Sequence, residues 1–381
     1  MTLSIERLRY RVDFALSSLR RRPAKNFGLA GVFALVVFML GSVMLFGSAM
    51  RREAQALLAS SPEVVVQAMK MGRHDMASDA DLARLGALRG VQTVEPRLWG
   101  YLWDGAGAAN YTLMVPSSRQ ARYQVAPGEV IIGEGVARAR KLTPGKPLFL
   151  VSPSGKLMRA RVKGLLTSDS ALVSSDLVLV AESDFRAFFE LPAGVWTDFA
   201  LSVANPSEVA TAAQKASVKL PGFRFVTRAD MQRSNEALFG LREGIGLWVL
   251  TGALLAFAIL AFDKASGLSA EERREIGILK AVGWSTQDVI GLKLAEGLLI
   301  AGFAYLVGII MAWLHVYLSG ASLFEPVLKG WSTLYPRFVL APSVDAVELA
   351  TLAVLTIVPY IAAILVPIWR AAVTDPDAVM R

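Results

Sequence analysis

Residues 26–50, with the sequence NFGLAGVFALVVFMLGSVMLFGSAM, contain no charged side chain. A helix needs about 20 predominantly apolar residues to cross the hydrocarbon core of a bilayer. This run is longer than the apolar region of a cleavable signal peptide, which has about 7–15 residues, and a basic segment precedes it. We therefore expect a retained membrane anchor.

Three further stretches meet the same requirement, at 244–262, 289–315 and 347–369. Between the first and second spans lie residues 51–243, enough chain for one or two small hydrophobic cores. The predicted fold class is an α-helical membrane protein with four transmembrane helices and a large extracytoplasmic domain between spans 1 and 2.

Proline and glycine inside the spans predict how the helices pack. Pro359 in the fourth span predicts a kink that neighbouring helices must accommodate. Gly297, Gly302 and Gly308 in the third span could allow another helix to approach closely.

The composition agrees with this mixed architecture. The chain is 54% hydrophobic and 19% charged, too apolar for an ordinary soluble domain and too charged for a protein lying wholly in lipid. The net charge of +8 does not indicate nucleic-acid binding, because basic residues gather directly before the first span, where they set membrane topology. The absence of cysteine excludes disulfides, thiolate catalysis and cysteine-based zinc sites.

The short segments flanking the spans predict the orientation. The N-terminal segment carries seven basic residues against two acidic ones, which places it in the cytoplasm. Alternation then places 263–288 and 370–381 inside and 51–243 and 316–346 outside, with both termini cytoplasmic. The seven basic residues are Arg7, Arg9, Arg11, Arg20, Arg21, Arg22 and Lys25.

Residues 1–25 place Leu8, Val12, Ala15 and Leu19 at helical spacing, with arginines on other faces. This pattern predicts an amphipathic helix on the inner leaflet. A disordered basic tail is the alternative.

The segment 51–243 mixes β-rich runs with helical patterns, separated by Pro-Gly and Ser-Gly turns, and this predicts an α+β domain. The predicted strands are Glu63–Ala68, Arg97–Trp103, Tyr111–Val115, Glu129–Ile132, Pro147–Val151, Leu157–Leu166, Leu177–Val180 and Phe199–Val203. The predicted helices are Ala80–Leu88, Glu134–Lys141, Ser183–Glu190 and Pro206–Val218.

Both edges of this domain are predicted to be helical and continuous with a span. Helical character runs through about 51–61, until Pro62. Thr227 and Asp230 have the spacing of a capping box, which predicts a helix over about 227–243. Two such helices would form a stiff stalk; the alternative is that they only tether the domain.

We find no pattern of catalytic, metal-binding or cofactor-binding residues. His74 and His315 are too far apart in sequence, and too differently placed, to propose a metal pair. The Gly-Lys pairs at 145–146 and 155–156 lack the upstream glycine and the following Ser or Thr of a phosphate-binding loop. The chain should therefore not hydrolyse ATP alone.

Residues 269–288, SAEERREIGILKAVGWSTQD, predict a short capped helix between the second and third spans. Ser269 and Glu272 have the spacing of a capping box, and Gly283 stands where a left-handed C-cap is expected. Ser285 and Asp288 repeat the cap and begin the next helix.

Ile276, Leu279 and Val282, spaced at i, i+3 and i+6, predict an apolar edge on this helix opposite a charged one. The alternative is a charged segment that lies in solvent. Such a segment would need neither two helix caps nor a row of apolar side chains.

The stretch ERREIGILKAVGWS (272–285), followed by an apolar span, resembles the signature of FtsX-like, MacB-type permeases of ABC transporters, the type VII or mechanotransmission class. The opening SLRRRPAKN (18–26) and the ending PIWRAAVTDPDAVMR (367–381) resemble the family's two ends. The stretch GEVIIGEGVA (128–137) and the following PGKPLFL (144–150) are similar to its periplasmic core domain. The fused nucleotide-binding domain of MacB has no counterpart in this chain.

The resemblance implies that the capped helix couples the permease to a cytoplasmic ABC ATPase on another chain, which would bind ATP and Mg²⁺. Two permeases, either two copies or paralogues, would pair around two ATPases in a bacterial inner membrane. The contact set would run from Glu271 to Trp284, and the residues singled out are Glu271, Glu272, Arg273, Arg274, Glu275, Ile276, Gly277, Leu279, Lys280, Gly283 and Trp284.

ATP-driven closure would then move the periplasmic domain mechanically and export or extract an amphiphilic substrate, such as a lipid, lipoprotein, peptide or drug. Membrane lipids and a periplasmic adaptor are further partners to consider. Two alternatives stay open: an FtsX-like regulator of extracytoplasmic cell-wall hydrolases, and a membrane sensor of an external ligand.

Overall fold

A computed structural model of the chain describes residues 13–21, 23–117, 123–166, 174–234, 270–324 and 340–373, together with residues 251, 252, 254, 255, 258, 259, 262 and 334. The chain divides into two compact units. We call Met1–Met50, Gly240–Ser322 and Leu340–Arg381 the membrane unit, and Arg51–Phe239 and Leu323–Val339 the α+β unit.

The described helices, in chain order, are α1 (residues 13–21), α2 (Pro23–Ser60), α3 (Asp79–Gly86), α4 (Glu134–Ala139), α5 (Glu182–Phe189), α6 (Val209–Lys219), α7 (residues 228–234), α8 (Ala270–Ala281), α9 (Thr286–Trp313) and α10 (Ala346–Val373). A π-helical segment, Leu314–Leu318, continues α9, and short 3₁₀ segments lie at Pro206–Glu208 and Ser322–Phe324.

Three helices of the described part are long and apolar enough to cross a membrane, over Asn26–Ala56, Thr286–Leu318 and Ala346–Arg370. Most of the predicted second span, 244–262, lies outside the described residues, so the count of four stays a prediction. Residues 1–12, 263–269 and 374–381 also lie outside the described part.

The membrane unit packs through aromatic rings and small residues. Phe33 of α2 stacks on Tyr360 of α10, with ring centroids 5.1 Å apart, and both side chains are buried. A Cβ at Gly308 would lie 2.7 Å from the Ala34 carbonyl oxygen, and one at Gly297 would lie 2.5 Å from Ile364 Cδ1. The prediction of close helix packing is therefore confirmed at these two glycines.

Gly302 differs, because a Cβ there would meet no described atom within 4 Å. The prediction of a close contact at Gly302 is wrong for the described part of the chain. Pro359 lies inside α10 as predicted, and Pro367 lies inside the same helix.

The α+β unit holds its strands in two larger sheets and one small one. The strands are β1 (Val64–Lys70), β2 (Arg73–Asp75), β3 (Ala77–Ser78), β4 (Val91–Arg97), β5 (Trp99–Asp104), β6 (Ala109–Met114), β7 (Glu129–Ile132), β8 (Pro147–Val151), β9 (Leu157–Leu165), β10 (Leu177–Val180), β11 (Val195–Trp196), β12 (Asp198–Val203) and β13 (Phe223–Thr227).

The described strands of the first sheet have the order β13-β1-β12-β4, with β2 paired to β1. The second sheet has the order β5-β6-β10-β7-β9-β8, and β11 pairs with β3. The second sheet is mixed, since β6–β10 and β7–β9 are parallel pairs. Its core buries Tyr111, Ile132 and Phe185 among other apolar side chains, and Leu334, from the chain between α9 and α10, packs against that core.

The predicted α+β class is confirmed, and three strands have the predicted bounds: Glu129–Ile132, Pro147–Val151 and Leu177–Val180. β4 and β13 were not predicted. Both are end strands of the first sheet, where one edge is unpaired and a polar or proline-containing sequence is tolerated. β4, with the sequence VQTVEPR, lacks the regular alternation that marks a half-buried strand, and β13, with the sequence FRFVT, has only five residues.

The helices at the edges of the α+β unit are α2 and α7, and residues 235–243 of the helix predicted over about 227–243 lie outside the described part. α2 is a single helix of 38 residues, about 57 Å long at 1.5 Å per residue, and it ends at Ser60. The capping box predicted for α7 is confirmed: the Thr227 N–H donates to Asp230 Oδ2 at 3.0 Å, and the Asp230 N–H donates to Thr227 Oγ1 at 3.1 Å. Arg228 donates from its side chain to the Ser61 carbonyl oxygen, which joins the end of α2 to the start of α7.

Candidate functional site

The C-terminus of α8 is a Schellman motif centred on Gly283. The Trp284 N–H donates to the Leu279 carbonyl oxygen and the Gly283 N–H donates to that of Lys280, both at 3.0 Å. Gly283 has φ +104°, a conformation that L side chains rarely adopt. The predicted glycine cap is therefore confirmed, and it fixes where the helix stops.

A capping box begins α9 immediately afterwards. The Asp288 N–H donates to Ser285 Oγ at 3.2 Å, and Asp288 Oδ2 accepts the Ser285 hydroxyl at 2.6 Å. This confirms the second predicted cap. The first, at Ser269 and Glu272, falls on a residue and a side chain outside the described part. Only a short turn with these hydrogen bonds separates α8 from α9.

One side of α8 faces the interior of the membrane unit. Ile276 is 5% exposed and forms a buried cluster with Val289 of α9 and Ala372 of α10, against which Trp284 and Ile290 pack. Gly277 is buried as well. α8 is thus held by contacts with α9, which follows it in sequence, and with α10.

α1 contacts the same turn and helix. Arg21 Nη1 lies 3.3 Å from Glu275 Oε1, and the Glu275 side chain is only 18% exposed. The Phe14 ring lies 5.7 Å from that of Trp284. Ala15 and Ser18 of α1 are buried. The N-terminal segment therefore packs against the hairpin, a contact that the amphipathic pattern alone did not predict.

The opposite side of α8 is exposed. Arg274, Ile278 and Val282 follow each other at spacings of four residues, so they share one helical face. Ile278 is 51% exposed and Val282 is 76% exposed. We call Arg274, Ile278 and Val282 the exposed face of α8.

The predicted apolar edge of Ile276, Leu279 and Val282 is wrong, because Ile276 is buried and Val282 is exposed. Six residues are about one and two-thirds turns of an α-helix, so positions 276 and 282 point to different sides. Arg274, Ile278 and Val282 also stand at helical spacing in the sequence, but only the packing of Ile276 against α9 and α10 shows that theirs is the exposed face.

The remaining predicted site residues differ in their exposure to solvent. Leu279, Lys280 and Trp284 are partly exposed, and Gly283 is exposed. The side chains of Glu271, Glu272 and Arg273 lie outside the described part. The exposed face thus combines two large aliphatic side chains with an arginine, an arrangement suited to binding a protein groove.

Each of the two histidines lies close to an oxygen atom of its own unit. His74 Nε2 lies 2.9 Å from the Thr197 carbonyl oxygen, and the buried His315 has Nδ1 3.1 Å from Ser42 Oγ. Among the described residues there is no group of three or more histidine, aspartate or glutamate side chains that could hold a metal ion.

Residues 246–376 match the family described as FtsX-like permease C-terminal. The chain is also 25% identical over 347 residues to the lipoprotein-releasing system transmembrane protein LolC of Neisseria meningitidis serogroup B, strain ATCC BAA-335 / MC58. That alignment covers 86% of this chain and 79% of the relative. The predicted resemblance to an FtsX-like ABC transporter permease is confirmed by these two matches.

Two solved structures are similar at low scores. The extracellular domain of the noncanonic ABC-type transporter YknZ from Gram-positive bacteria is 13% identical, with a TM-score of 0.29, over 42% of this chain and 98% of that domain. The periplasmic region of MacB from Actinobacillus actinomycetemcomitans is 13% identical, with a TM-score of 0.31, over 45% of this chain and 92% of that region.

Proposed function

We propose that this chain, an ABC transporter permease with an FtsX-like C-terminal domain, is driven by an ATPase on a separate polypeptide that binds the exposed face of α8. The observation that carries the proposal is the pair of exposed aliphatic side chains, Ile278 and Val282, on a helix whose other side is fixed. A solvated linker would need neither the anchoring nor the apolar surface.

The surroundings of α8 favour transmission of force. The helix is fixed at its C-terminus by the Gly283 and Ser285 motifs and on its inner side by Ile276. A force applied to Ile278 or Val282 would therefore move α9 as well, because α8 would bend little relative to it. The partner surface should offer an apolar groove with acidic residues placed to receive Arg274.

We propose that ATP binding and hydrolysis in the partner, which holds the ATP and Mg²⁺, move the α+β unit mechanically. α2 supports this route, because it is a single helix from the membrane-spanning region to Ser60, where Arg228 ties it to the start of α7. In this proposal α2 and α7 form the stalk, and the substrate is moved on the outer side of the membrane.

The substrate class that we propose is amphiphilic: a lipid, lipoprotein, peptide or drug. A lipoprotein is the first to test, since the curated relative is a component of a lipoprotein-releasing system. The comparisons do not favour a regulator of cell-wall hydrolases. We further propose a bacterial inner-membrane location with both termini cytoplasmic, a second permease copy or paralogue as partner, a periplasmic adaptor, and contact with membrane lipids.

The test is affinity purification of the full chain from its native membrane, followed by quantification of the co-purifying ATPase. We expect one ATPase polypeptide per permease, and loss of the ATPase in Ile278→Asp. The matched control is Val218→Asp, which places the same charge on an exposed aliphatic position of α6, 79% exposed, in the α+β unit. Recovery of the permease without an ATPase, or equal recovery in both variants, would contradict the proposal.

A further inference from the structure

β5 is an end strand of the six-stranded sheet, and at two of its residues the outer backbone groups have no hydrogen-bond partner among the described residues. The Val115 N–H donates to the Leu98 carbonyl oxygen at 2.9 Å, so the backbone of Leu98 faces β6. Backbone groups alternate between the two sides along an antiparallel strand. The N–H and C=O groups of Trp99, Tyr101 and Trp103 therefore point away from β6.

Three further hydrogen bonds support this register. The Thr112 N–H of β6, opposite Tyr101, donates to the Asp176 carbonyl oxygen at 3.0 Å and so points away from β5. Thr197 Oγ1 accepts the Trp99 N–H at 3.1 Å and donates to the Trp99 carbonyl oxygen at 2.9 Å. No described residue forms such bonds with the backbone of Tyr101 or Trp103.

The side chains of the same residues form an exposed aromatic row. Tyr101 is 69% exposed and Trp103 is 61% exposed. Trp99 stands beside Tyr101 with ring centroids 5.4 Å apart, and stacks on His74 at 6.1 Å. Tryptophan and tyrosine are the side chains that contribute most to protein interfaces. Two exposed side chains of this kind at one sheet edge indicate a surface that binds a partner.

The aromatic row is fixed at one end. Trp99 Nε1 donates to Asp198 Oδ2 at 3.0 Å. Asp198 is 1% exposed and also accepts two hydrogen bonds from Arg97, at 2.6 and 2.7 Å. The Trp99 ring is thus held before any ligand arrives, which lowers the entropy lost on binding.

The opposite edge of the sheet is blocked. β8 begins with Pro147, which has no N–H to offer, and Arg140 Nη2 donates to the Phe149 carbonyl oxygen at 3.0 Å. Proline and charged residues are the usual means by which an exposed edge is closed to another strand. β5, with the sequence WGYLWD, has neither device at Tyr101 and Trp103.

We infer that β5 is a docking strand for an extended polypeptide segment, which adds to the sheet by pairing with the backbone of Tyr101 and Trp103. Equivalent groups two residues apart along a strand repeat at about 6.6–6.8 Å. A polypeptide backbone offers a donor and an acceptor at that repeat, whereas an acyl chain offers neither. Alternate side chains of the segment, large and apolar, would lie against the aromatic row.

The inference does not depend on ATPase coupling, since β5 and α8 belong to different units. Its probe is a peptide selected from a random display library against the full chain in phospholipid nanodiscs, then synthesised with a fluorophore for anisotropy measurements. Tyr101→Pro removes an outward N–H without removing a bond to β6. We expect Tyr101→Pro to weaken peptide binding at least tenfold, and Trp103→Ala to weaken it as well.

Phe149→Pro, which makes the same change on the opposite edge strand, is the matched control and should leave the affinity unchanged. Thermal unfolding of each variant checks that the α+β unit remains folded. Failure to select any peptide, or a selected peptide whose affinity is equal in Tyr101→Pro and Phe149→Pro, would overturn the inference.

A second copy of this chain is the other possible occupant. The chain has no cysteine, so Trp103→Cys creates a unique thiol. Efficient disulfide formation between two Trp103→Cys chains in the membrane, with no peptide binding in the unmodified protein, would assign the edge to a second copy and overturn the inference. Absence of that cross-link together with peptide binding supports it.

Discussion

The guanidinium group of Arg21 lies 3.3 Å from the carboxylate of Glu275, a residue 254 positions away in sequence. The pair joins α1 to α8, beside the contact between Phe14 and Trp284. Because Arg21 is 61% exposed, such a pair is worth at most about 1 kcal/mol of stability. In the proposed mechanism, the pair would instead help to hold α8 in one orientation.

Reversing the charge of Glu275 should therefore affect coupling more than folding. We expect Glu275→Lys to abolish stimulation of ATP turnover by substrate in proteoliposomes, while membrane insertion and thermal unfolding change little. The double variant Arg21→Glu with Glu275→Arg restores the attraction and should recover part of the stimulation. If the double variant is no better than Glu275→Lys, the ion pair is not what positions α8.

Gly283 should not tolerate a side chain or a fixed φ. At φ +104° a Cβ is strained, at roughly 1–2 kcal/mol for a left-handed conformation. Gly283→Pro would also remove the bond from the Gly283 N–H to Lys280. We expect Gly283→Ala to reduce coupled ATP turnover several-fold and Gly283→Pro to abolish it. If coupled ATP turnover is unchanged in Gly283→Pro, the turn at Gly283 does not take part in coupling.

The two glycines of α9 at positions 302 and 308 make a matched pair. A Cβ at Gly308 meets backbone oxygen and Val37 at 2.7 Å, whereas one at Gly302 meets no described atom within 4 Å. Overpacking costs typically about 1–3 kcal/mol. In detergent, Gly308→Ala should lower the thermal unfolding temperature and Gly302→Ala should leave it unchanged. Equal effects would show that α2 and α9 do not pack at Gly308.

The capping box of α7 predicts a pH dependence. Hydrogen bonds from the Thr227 hydroxyl and backbone N–H lower the pKa of Asp230. A carboxyl group with a lowered pKa contributes stability that is complete above its unfolded pKa and is lost as the pH falls through the folded pKa. At neutral pH, Thr227→Ala should destabilise the helix by about 1 kcal/mol.

Hydrogen exchange of residues 228–234 in the full chain measures this effect. Exchange should be faster in Thr227→Ala than in the unmodified chain at neutral pH, and the difference should shrink in acid, below the normal pKa of aspartate. A difference that is independent of pH would mean that the Asp230 carboxylate does not take part in the cap.

The sequence was informative wherever a feature depends on neighbouring residues. Gly283, Ser285 and Asp288 predicted the turn at the end of α8 because caps involve residues three or four positions apart. Uncharged runs predicted the long helices because a run of consecutive apolar residues is also a local feature of the sequence. The spacing of Thr227 and Asp230 likewise predicted the start of α7.

Features that depend on distant contacts could not be predicted in this way. The pairing of Arg21 with Glu275 and the packing of Leu334 against the six-stranded sheet join segments far apart in the chain. The exposed side of α8 was misassigned because Ile276 is as apolar as Ile278, and only the position of α9 and α10 decides which is buried. The open edge of β5 depends on the order of the strands in the sheet, and neighbouring residues in the sequence do not reveal that order.

The most direct test of the account is site-directed cross-linking between α8 and the ATPase. Since the chain has no cysteine, Val282→Cys and Ile276→Cys each introduce a single thiol, the first at an exposed position and the second at a buried one. The account predicts that Val282→Cys in native membranes cross-links to an ATPase of the ABC class and that Ile276→Cys does not. An ATPase that co-purifies with the permease but cross-links to neither position, or to both equally, would contradict it.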